Sequence, residues 1–409
     1  MKILLVKLSS LGDVVHAMPA VQDIRRAMPQ AQIDWVVEAG FAPLVRRCQG
    51  VGRVIESDLR RWRTSPLSAS TRAAWRAFKA DLQREPYDAV IDLQGLAKSA
   101  LVSWLARLAP QGKRYALAQR TDGAGYEAPT RWVADVAVPV DAHTPAVQRS
   151  RELCARALGY SFPNQASFGL LALVNSTLLD TKIIAKVVTE NDGIPPDVNK
   201  HTASRVTLSA PLNSFSGSSS GSPCIALVHG TSRADKQWPL DHWVALGSRL
   251  NASGYTVALA HGSDAEQRRS EDIASQLKSA VVWPRLGIDA LTDSLANCAG
   301  VIGVDSGLSH IAVALNLSHV QIYNFDTAWR TGPQPSAHQV SVYDQPAPTV
   351  DAVWQAWLGA SVRVSVSLGM GRGVGIGMGA GTSAGNGADA GQGIHQDVGA
   401  GPIALMPAP

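Results

Sequence analysis

Charge is sparse in this chain: 17% of its 409 residues are Asp, Glu, Lys or Arg, against ~25% in ordinary soluble domains. Since 45% are hydrophobic, the shortage of charge does not signal bulk disorder, which pairs low hydrophobicity with high charge. The 37 basic residues exceed the 33 acidic ones by four, too small an excess to mark a nucleic-acid binder. Cysteine is scarcer still. Cys48, Cys154, Cys224 and Cys298 show no C-x-x-C spacing, which argues against a disulfide framework or zinc site and fits buried, reduced thiols. No stretch approaches the ~18 apolar residues of a membrane span. Lys7 and Asp13 also cut the run Lys2–Val6 short of the ~7–15 residues of a signal-peptide core. Neither G-x-x-x-x-G-K-[ST] nor, after the first strand, G-x-G-x-x-G occurs, so the P-loop and simple dinucleotide-binding fingerprints are missing. H-E-x-x-H and Asp-x-Asp are absent as well, and the expectation is no metal and no cofactor.

At ~100–200 residues per domain the length implies two or three domains. Residues 1–162 alternate strands with helices: strand Lys2–Leu8, helix Val14–Met28, strands Ile33–Glu38, Arg53–Glu56 and Ala89–Leu93, and helix Leu96–Leu108. That alternation indicates βαβ units and a parallel sheet. Residues 163–222 lose the period and end in the Ser/Gly run 214–222, which reads as a linker or insertion, flexible at its Ser/Gly end. A second βα series fills 223–360, with strands at Cys224–His229, Thr256–Ala260, Ala280–Trp283, Val301–Val304 and His319–Tyr323 and a last helix at Val350–Leu358. From 361 to 409 the chain is Gly- and Ala-rich without a core pattern and reads as a disordered tail.

Two such sheets place a ligand at the carboxyl ends of their strands. Three loops there carry chemistry. Ser9-Ser10-Leu11-Gly12-Asp13 holds one carboxylate, Asp13, which serves either as a helix cap or as a ligand-facing acid; Ser9 and Ser10 are alternative caps. His229-Gly230-Thr231-Ser232-Arg233 with Lys236 offers hydroxyls, N–H groups and a cation suited to a diphosphate. Asp305-Ser306-Gly307-Leu308-Ser309-His310 turns a strand into a helix whose N-terminus can hold phosphate, with Asp305 a cap or a sugar ligand. Between residues 45 and 120 there are 15 Lys+Arg and 6 Asp+Glu, net +9. Within that stretch, Leu59-Arg60-Arg61-Trp62-Arg63 reads either as a solvated basic loop or as an anion site drawn to an acidic membrane surface. The 11 Trp residues read as packing groups, Trp62 being the candidate for stacking.

These segments together resemble the lipopolysaccharide heptosyltransferase family. Carrying the likeness are Lys7–His16 with Pro19-Ala20, Ile33–Glu38, Arg60–Arg63, Tyr87–Asp92, Asp235-Lys236-Gln237-Trp238-Pro239 and Asp305–His310, spread over roughly 1–160 and 224–358. The Ser-Ser-Leu-Gly-Asp start is closer to the first heptosyltransferases than to the second. The resemblance implies a GT-B fold, two Rossmann-like domains facing a cleft, the first for the acceptor and the second for the donor. It implies metal-independent, inverting transfer of L-glycero-D-manno-heptose from ADP-heptose to the Kdo residue of Kdo2-lipid A by a monomer on the cytoplasmic face of the inner membrane. Asp13 matches the general base. Thr231, Ser232, Lys236, Glu266, Asp305, Ser306, Gly307, Leu308 and His310 match donor-side positions, and Ser10, Arg60, Arg61, Arg63 and Arg120 acceptor-side ones. Alternatives are a heptosyltransferase for a later core acceptor and a nucleotide-sugar binding protein without chemistry. The chain departs from the family at 163–222, which is longer, in its Gly-rich tail, and at Tyr323–Thr327, which lacks Gly-Pro-Thr.

Overall fold

The structure, a computed structural model, describes residues 1–173 and 222–369. In the amino-terminal lobe the order is β1 (Lys2–Val6), α1 (Leu11–Ala27), β2 (Gln32–Glu38), α2 (Ala42–Val45), β3 (Val51–Ser57), α3 (Leu59–Thr64) and α4 (Ala69–Leu82). It continues with β4 (Tyr87–Asp92), α5 (Ala97–Leu105), β5 (Leu108–Leu117), α6 (Ala128–Val133), β6 (Val136–Val138) and α7 (Ala146–Leu158). The carboxyl-terminal lobe runs β7 (Cys224–Val228), α8 (Leu240–Ala252), β8 (Thr256–Leu259), α9 (Asp264–Ala274), β9 (Ala280–Val282) and α10 (Ile288–Ala296). It closes with β10 (Gly300–Val304), α11 (Gly307–Ala314), β11 (His319–Tyr323), α12 (Ala328–Thr331), β12 (Gln339–Tyr343) and α13 (Val350–Gly369).

Each lobe holds one six-stranded sheet, ordered β3-β2-β1-β4-β5-β6 and β12-β11-β10-β7-β8-β9. All pairings within them are parallel. Both follow the doubly wound order, with the switch in strand order between β1 and β4 and between β7 and β10. The central strands are buried on both faces, as helix-covered parallel sheets require: Ile3, Leu4, Leu5 and Val6 are all inaccessible. One buried cluster runs without a break from Ile3 and Trp35 through α1 to Val228, Val301 and Ile311, so the two lobes share apolar packing. The second lobe adds its own core around Trp238, Trp243 and Trp357, where Trp238 meets Trp243 edge-on at 4.9 Å and donates to the Pro348 carbonyl. Four of the tryptophans, Trp35, Trp238, Trp243 and Trp357, are packing groups as expected. All four cysteines are free thiols, three of them buried.

Several sequence expectations need correction. Helix α1 starts at Leu11, three residues before the expected Val14, which places Asp13 inside its first turn. Helix α5 stops at Leu105 instead of reaching Leu108. Ala106 turns extended, and the Arg114 side chain caps the freed carbonyls of Ser103, Trp104 and Ala106. Strand β5 follows at once; Pro110 and Gly112 disguise it, and its register against β4 shifts between Tyr87 and Ala89. The basic segment at 59–63 is helical, not a loop. Helix α4, capped by the Ser68 hydroxyl, went unread because only Phe78 and Leu82 on it are buried. Of the expected linker, residues 163–173 are tied down: Leu170 bridges to Cys48, and Leu171 donates to the Arg47 carbonyl. The remainder, with its Ser/Gly run, lies outside the described residues. Helix α13 likewise extends past the expected tail boundary to Gly369, and the tail beyond lies outside the described residues. Among the described residues no helix is long and apolar enough to cross a membrane.

Helix α1 is held at its far end by a buried ion pair. The Arg151 guanidinium on α7, wholly inaccessible, donates twice to the Asp23 carboxylate (2.6 and 3.1 Å) and also to the carbonyls of Pro163 and Asn164. Removing one partner leaves the other charge buried and alone. Arg151→Met is therefore expected to cost about 3–5 kcal/mol in urea unfolding. The double variant Asp23→Leu/Arg151→Met should recover most of that loss. A single-variant loss below about 1 kcal/mol would place the pair among weak surface bridges.

Candidate functional site

Loops leaving β1 and β4 in one sheet, and β7 and β10 in the other, border the crevices where parallel α/β sheets bind ligands. On the first lobe the Asp13 carboxylate accepts from the Ser10 backbone N–H (3.1 Å) and the Ser10 hydroxyl (3.0 Å), both through Oδ2. Ser10 is the N-cap of α1, and Asp13 closes back on it. Of the two serines offered as alternative caps, Ser10 takes the N-cap while Asp13 closes the box from the third helical position, and Ser9 accepts from Lys98 Nζ at 2.8 Å. Capping does not bury the acid. Its side chain remains 37% exposed, while Lys7, whose Nζ lies 3.8 Å from Oδ1, is only 6% exposed.

The charges here are set by that lysine. Burial pushes Asp13 upward, but the Lys7 ammonium and the Ser10 hydrogen bonds outweigh it and hold the carboxyl at about 2. Burial draws Lys7 itself down, against the pull of Asp13. Its ammonium donates to the Leu93 carbonyl (2.9 Å) at the end of β4. Beside it Asp92 is pushed up to about 6 by burial, although the Gly95 and Gln94 N–H groups and the Ser99 hydroxyl donate to it.

The second lobe presents a matching pair. Lys236 Nζ donates to Asp305 Oδ2 at 2.6 Å, the Thr331 hydroxyl donates to Oδ1 at 3.2 Å, and His310 Nε2 lies 3.4 Å from Oδ1. Burial works against the ionised Asp305, yet His310 and then Lys236 hold it well below the usual carboxylate range. Thr231 Oγ1 reaches the Asp305 carbonyl at 3.4 Å, and Ser232 is exposed beside it. Ser306 stands at the N-cap position of α11, its buried hydroxyl left without a partner. Leu308, half-buried, follows on the first turn. Glu266 accepts from the Gly262 N–H (2.7 Å), and a Cβ on Gly230 would meet its Oε1 at 2.7 Å. Glu266 therefore joins the loop after β7.

The two helix N-termini meet. A Cβ on Gly12 would lie 2.7 Å from His310 Cδ2, and one on Gly307 would lie 2.6 Å from Leu11 Cδ2. Both positions therefore need the bare glycine backbone for close approach. Between them the His16 and His310 rings sit 4.2 Å apart. Burial, then the neighbouring His310, lowers His16 well below its ordinary value, so it is neutral at pH 7.

Basic residues flank the Asp13 side. Arg60 Nε and Lys98 Nζ both lie 3.1 Å from the Glu38 carboxylate, and Lys98 continues to Ser9, which ties α3 to the loop before α1. Arg61 pairs loosely with Asp58 (3.8 Å), and Arg63 and Arg120 are exposed. Trp62 packs on Trp75 and Phe78 instead of standing free. Sequence reasoning gave no site role to Lys7, His16, Lys98, Thr331 or the buried Arg149, whose charge acts on Asp13. A lysine at a strand end signals little until burial is known. Among the described residues no cluster of three or more His, Cys, Asp and Glu side chains converges on a metal-sized site.

The profile of glycosyltransferase family 9 (heptosyltransferase) matches residues 75–355. Lipopolysaccharide heptosyltransferase 1 of Pseudomonas aeruginosa is 35% identical over 323 residues, 79% of this chain and 78% of that protein. Its namesake from Escherichia coli K12 is 33% identical over 324 residues, 79% of this chain and 88% of that protein. The structure of E. coli heptosyltransferase WaaC with ADP superposes with a TM-score of 0.68 at 30% identity, covering 87% of this chain and 98% of that one. E. coli ADP-heptose lps heptosyltransferase II, at 20% identity and a TM-score of 0.65, shares the fold over 89% of this chain and all of that one. The fold is GT-B.

Asp13 and Asp305, both depressed, contribute stability that is present above the unfolded value of ~3.9 and is lost as pH falls through their folded values. Asp92, raised to about 6, has the opposite sign: its contribution is present below ~3.9 and fades as pH rises through about 6. Lys236→Met removes one cause of the Asp305 depression. In urea titrations it is expected to narrow the gap between unfolding free energy at pH 7 and at about pH 3.5. An unchanged gap would show that the ion pair carries no linkage.

Proposed function

The chain belongs to glycosyltransferase family 9, the heptosyltransferases, and from that premise we propose the reaction and its machinery. It transfers L-glycero-D-manno-heptose from ADP-heptose to the Kdo residue of Kdo2-lipid A, with inversion, at the cytoplasmic face of the inner membrane. Identity to type 1 enzymes over 79% of the chain, 32–35%, against 24–25% to the type 2 enzymes, supports the first acceptor over a later one. Related structures holding ADP and ADP-2-deoxy-2-fluoro heptose support the donor. The observation that carries the mechanism is the half-exposed Asp13 carboxylate, ionised beside buried Lys7, across from the Lys236–Asp305 pair.

Asp13 accepts the proton of the acceptor hydroxyl as that oxygen bonds to the anomeric carbon. The bond from that carbon to the diphosphate oxygen breaks on the opposite face, and its electron pair leaves with ADP. A carboxylate held at about 2 is too weak a base to ionise an alcohol beforehand. Proton transfer is therefore late, completed as the attacking oxygen gains positive character. On the donor lobe Lys236, the Thr231 and Ser232 hydroxyls and the N-terminus of α11 receive the charge growing on the diphosphate. The unpartnered Ser306 hydroxyl supplies one more group there. Asp305 takes heptose hydroxyls, and Glu266 the ribose. Ser10, Arg60, Arg61, Arg63 and Arg120 face the acceptor, where guanidiniums suit its phosphates and carboxylates.

ADP should be released only when ADP-heptose and a Kdo-bearing acceptor are both present. Asp13→Ala is expected to lower kcat about 10²–10⁴-fold, the span of general-base catalysis, while the Kd for ADP-heptose stays within about twofold. Binding without turnover on any acceptor would instead favour a non-catalytic sugar-nucleotide binder.

Lys7→Met should lift Asp13, since the cation lowering it is gone while burial still raises it. The acidic limb in kcat/KM is then expected to move to higher pH than in the parent enzyme. Identical pH profiles would remove Lys7 from the account.

A further inference from the structure

Outside the cleft, the first lobe carries an apolar surface that the mechanism does not use. On α5 the outward positions are Ala97, Leu101 and Trp104, spaced as one helical stripe. Trp104 is 61% and Leu101 41% exposed. On α6 the outward positions are Ala128, Arg131 and Trp132, and Trp132 is 77% exposed. The two helices lie side by side in parallel. At their starts, Ala97 N–H donates to the Glu127 carboxylate and Glu127 N–H to the Gly95 carbonyl. At their ends, Arg114 joins them, its side chain donating to the Ser103 and Trp104 carbonyls and its N–H to Asp135. Trp104 and Trp132 therefore stand at the same end of the pair.

The stretch that carries them is basic. Residues 97–133 hold six Lys and Arg against two Asp and Glu, and Arg107 and Arg131, three residues and one residue from the two tryptophans in sequence, are exposed. Exposed indoles within a basic stretch suit the boundary of an anionic bilayer, where the ring sits at headgroup depth and the cations meet acidic lipid. The opposite end of α5 is the active end: Lys98 reaches Ser9, next to the Ser10–Asp13 cap. From Lys98 to Trp104 the helix rises only ~9 Å. A lipid-anchored acceptor with its sugar at Asp13 thus has bilayer within reach of the same helix.

We propose that the Trp104–Trp132 end of α5 and α6 is the surface by which this enzyme seats itself on an anionic membrane. The proposal rests on the lipid-linked acceptor reading above and adds the face that docks. The test uses the full-length protein with vesicles of phosphatidylcholine alone or mixed with phosphatidylglycerol. The parent protein should cosediment with the mixed vesicles and lose them as salt is raised. Trp104→Ser/Trp132→Ser should weaken that binding about tenfold or more, and Arg107→Glu/Arg131→Glu should do the same. With a water-soluble, deacylated acceptor the tryptophan variant should keep kcat/KM within about twofold, which also reports an intact fold; with acceptor embedded in vesicles it should lose about tenfold. Unchanged vesicle binding in both variants would overturn the proposal. So would a dimer in sedimentation velocity that the tryptophan substitutions dissolve, since the patch would then be a contact between copies. Failure of the heptosyl-transfer reading would silence both activity arms and leave vesicle binding as it is.

Discussion

The cleft depends on the close approach of two helix N-termini. Helices α1 and α11 come from different lobes, yet their first turns touch through Gly12 against His310 and Gly307 against Leu11. Each helix begins directly after a central strand, so the contact brings the two topological switch points to the same place. The positive ends of both helix dipoles then face one space, which favours a polyanion there and penalises an additional cation. Neutral His16 fits that demand: it fills the gap beside His310 without adding charge.

The same space holds two carboxylates, Asp13 kept ionised by Lys7 and Asp305 by His310 and Lys236, and the two lysines differ in freedom. Lys7 is buried and fixed by the Leu93 carbonyl, so its charge acts on Asp13 as a permanent part of the scaffold. Lys236 is more open and sits on the loop after β7, paired with Asp305. Under the proposed mechanism the acceptor-side acid is tuned by a cation that does not move, and the donor-side cation is stored against an acid until it exchanges that partner for a phosphate of the donor.

Much of this was legible in the sequence, and the limits have physical causes. Apolar runs such as Ile3–Val6 and Val301–Val304 marked the central strands, because strands covered on both faces leave a continuous hydrophobic signal. Strands away from the centre are harder to read: β5, between β4 and β6, carries Pro110 and Gly112, and edge strand β12 offers only two valines, Val340 and Val342, over five residues. Helix α4 shows the cost of a small buried face. For the site, the loops holding Asp13, Lys236 and Asp305 stood out because they follow strand ends. The capping bond of Asp13 was foreseen as an alternative to an open role, and the structure shows that the acid caps while staying exposed. Lys7 and Arg149 were not legible as site residues. Their influence comes from burial produced by tertiary packing, and nothing in their local pattern separates them from surface cations.

Under the proposed mechanism Asp13 removes a proton from the incoming alcohol and does nothing essential for the departing nucleotide. Azide separates these roles, because it attacks an anomeric carbon without a proton to lose. The decisive measurement is the rate of heptosyl azide formation from ADP-heptose by Asp13→Ala and by the parent enzyme. The two rates are expected to agree within about threefold while turnover of the Kdo acceptor collapses in the variant. A variant slowed as much toward azide as toward the acceptor would place Asp13 on the donor side and contradict that mechanism.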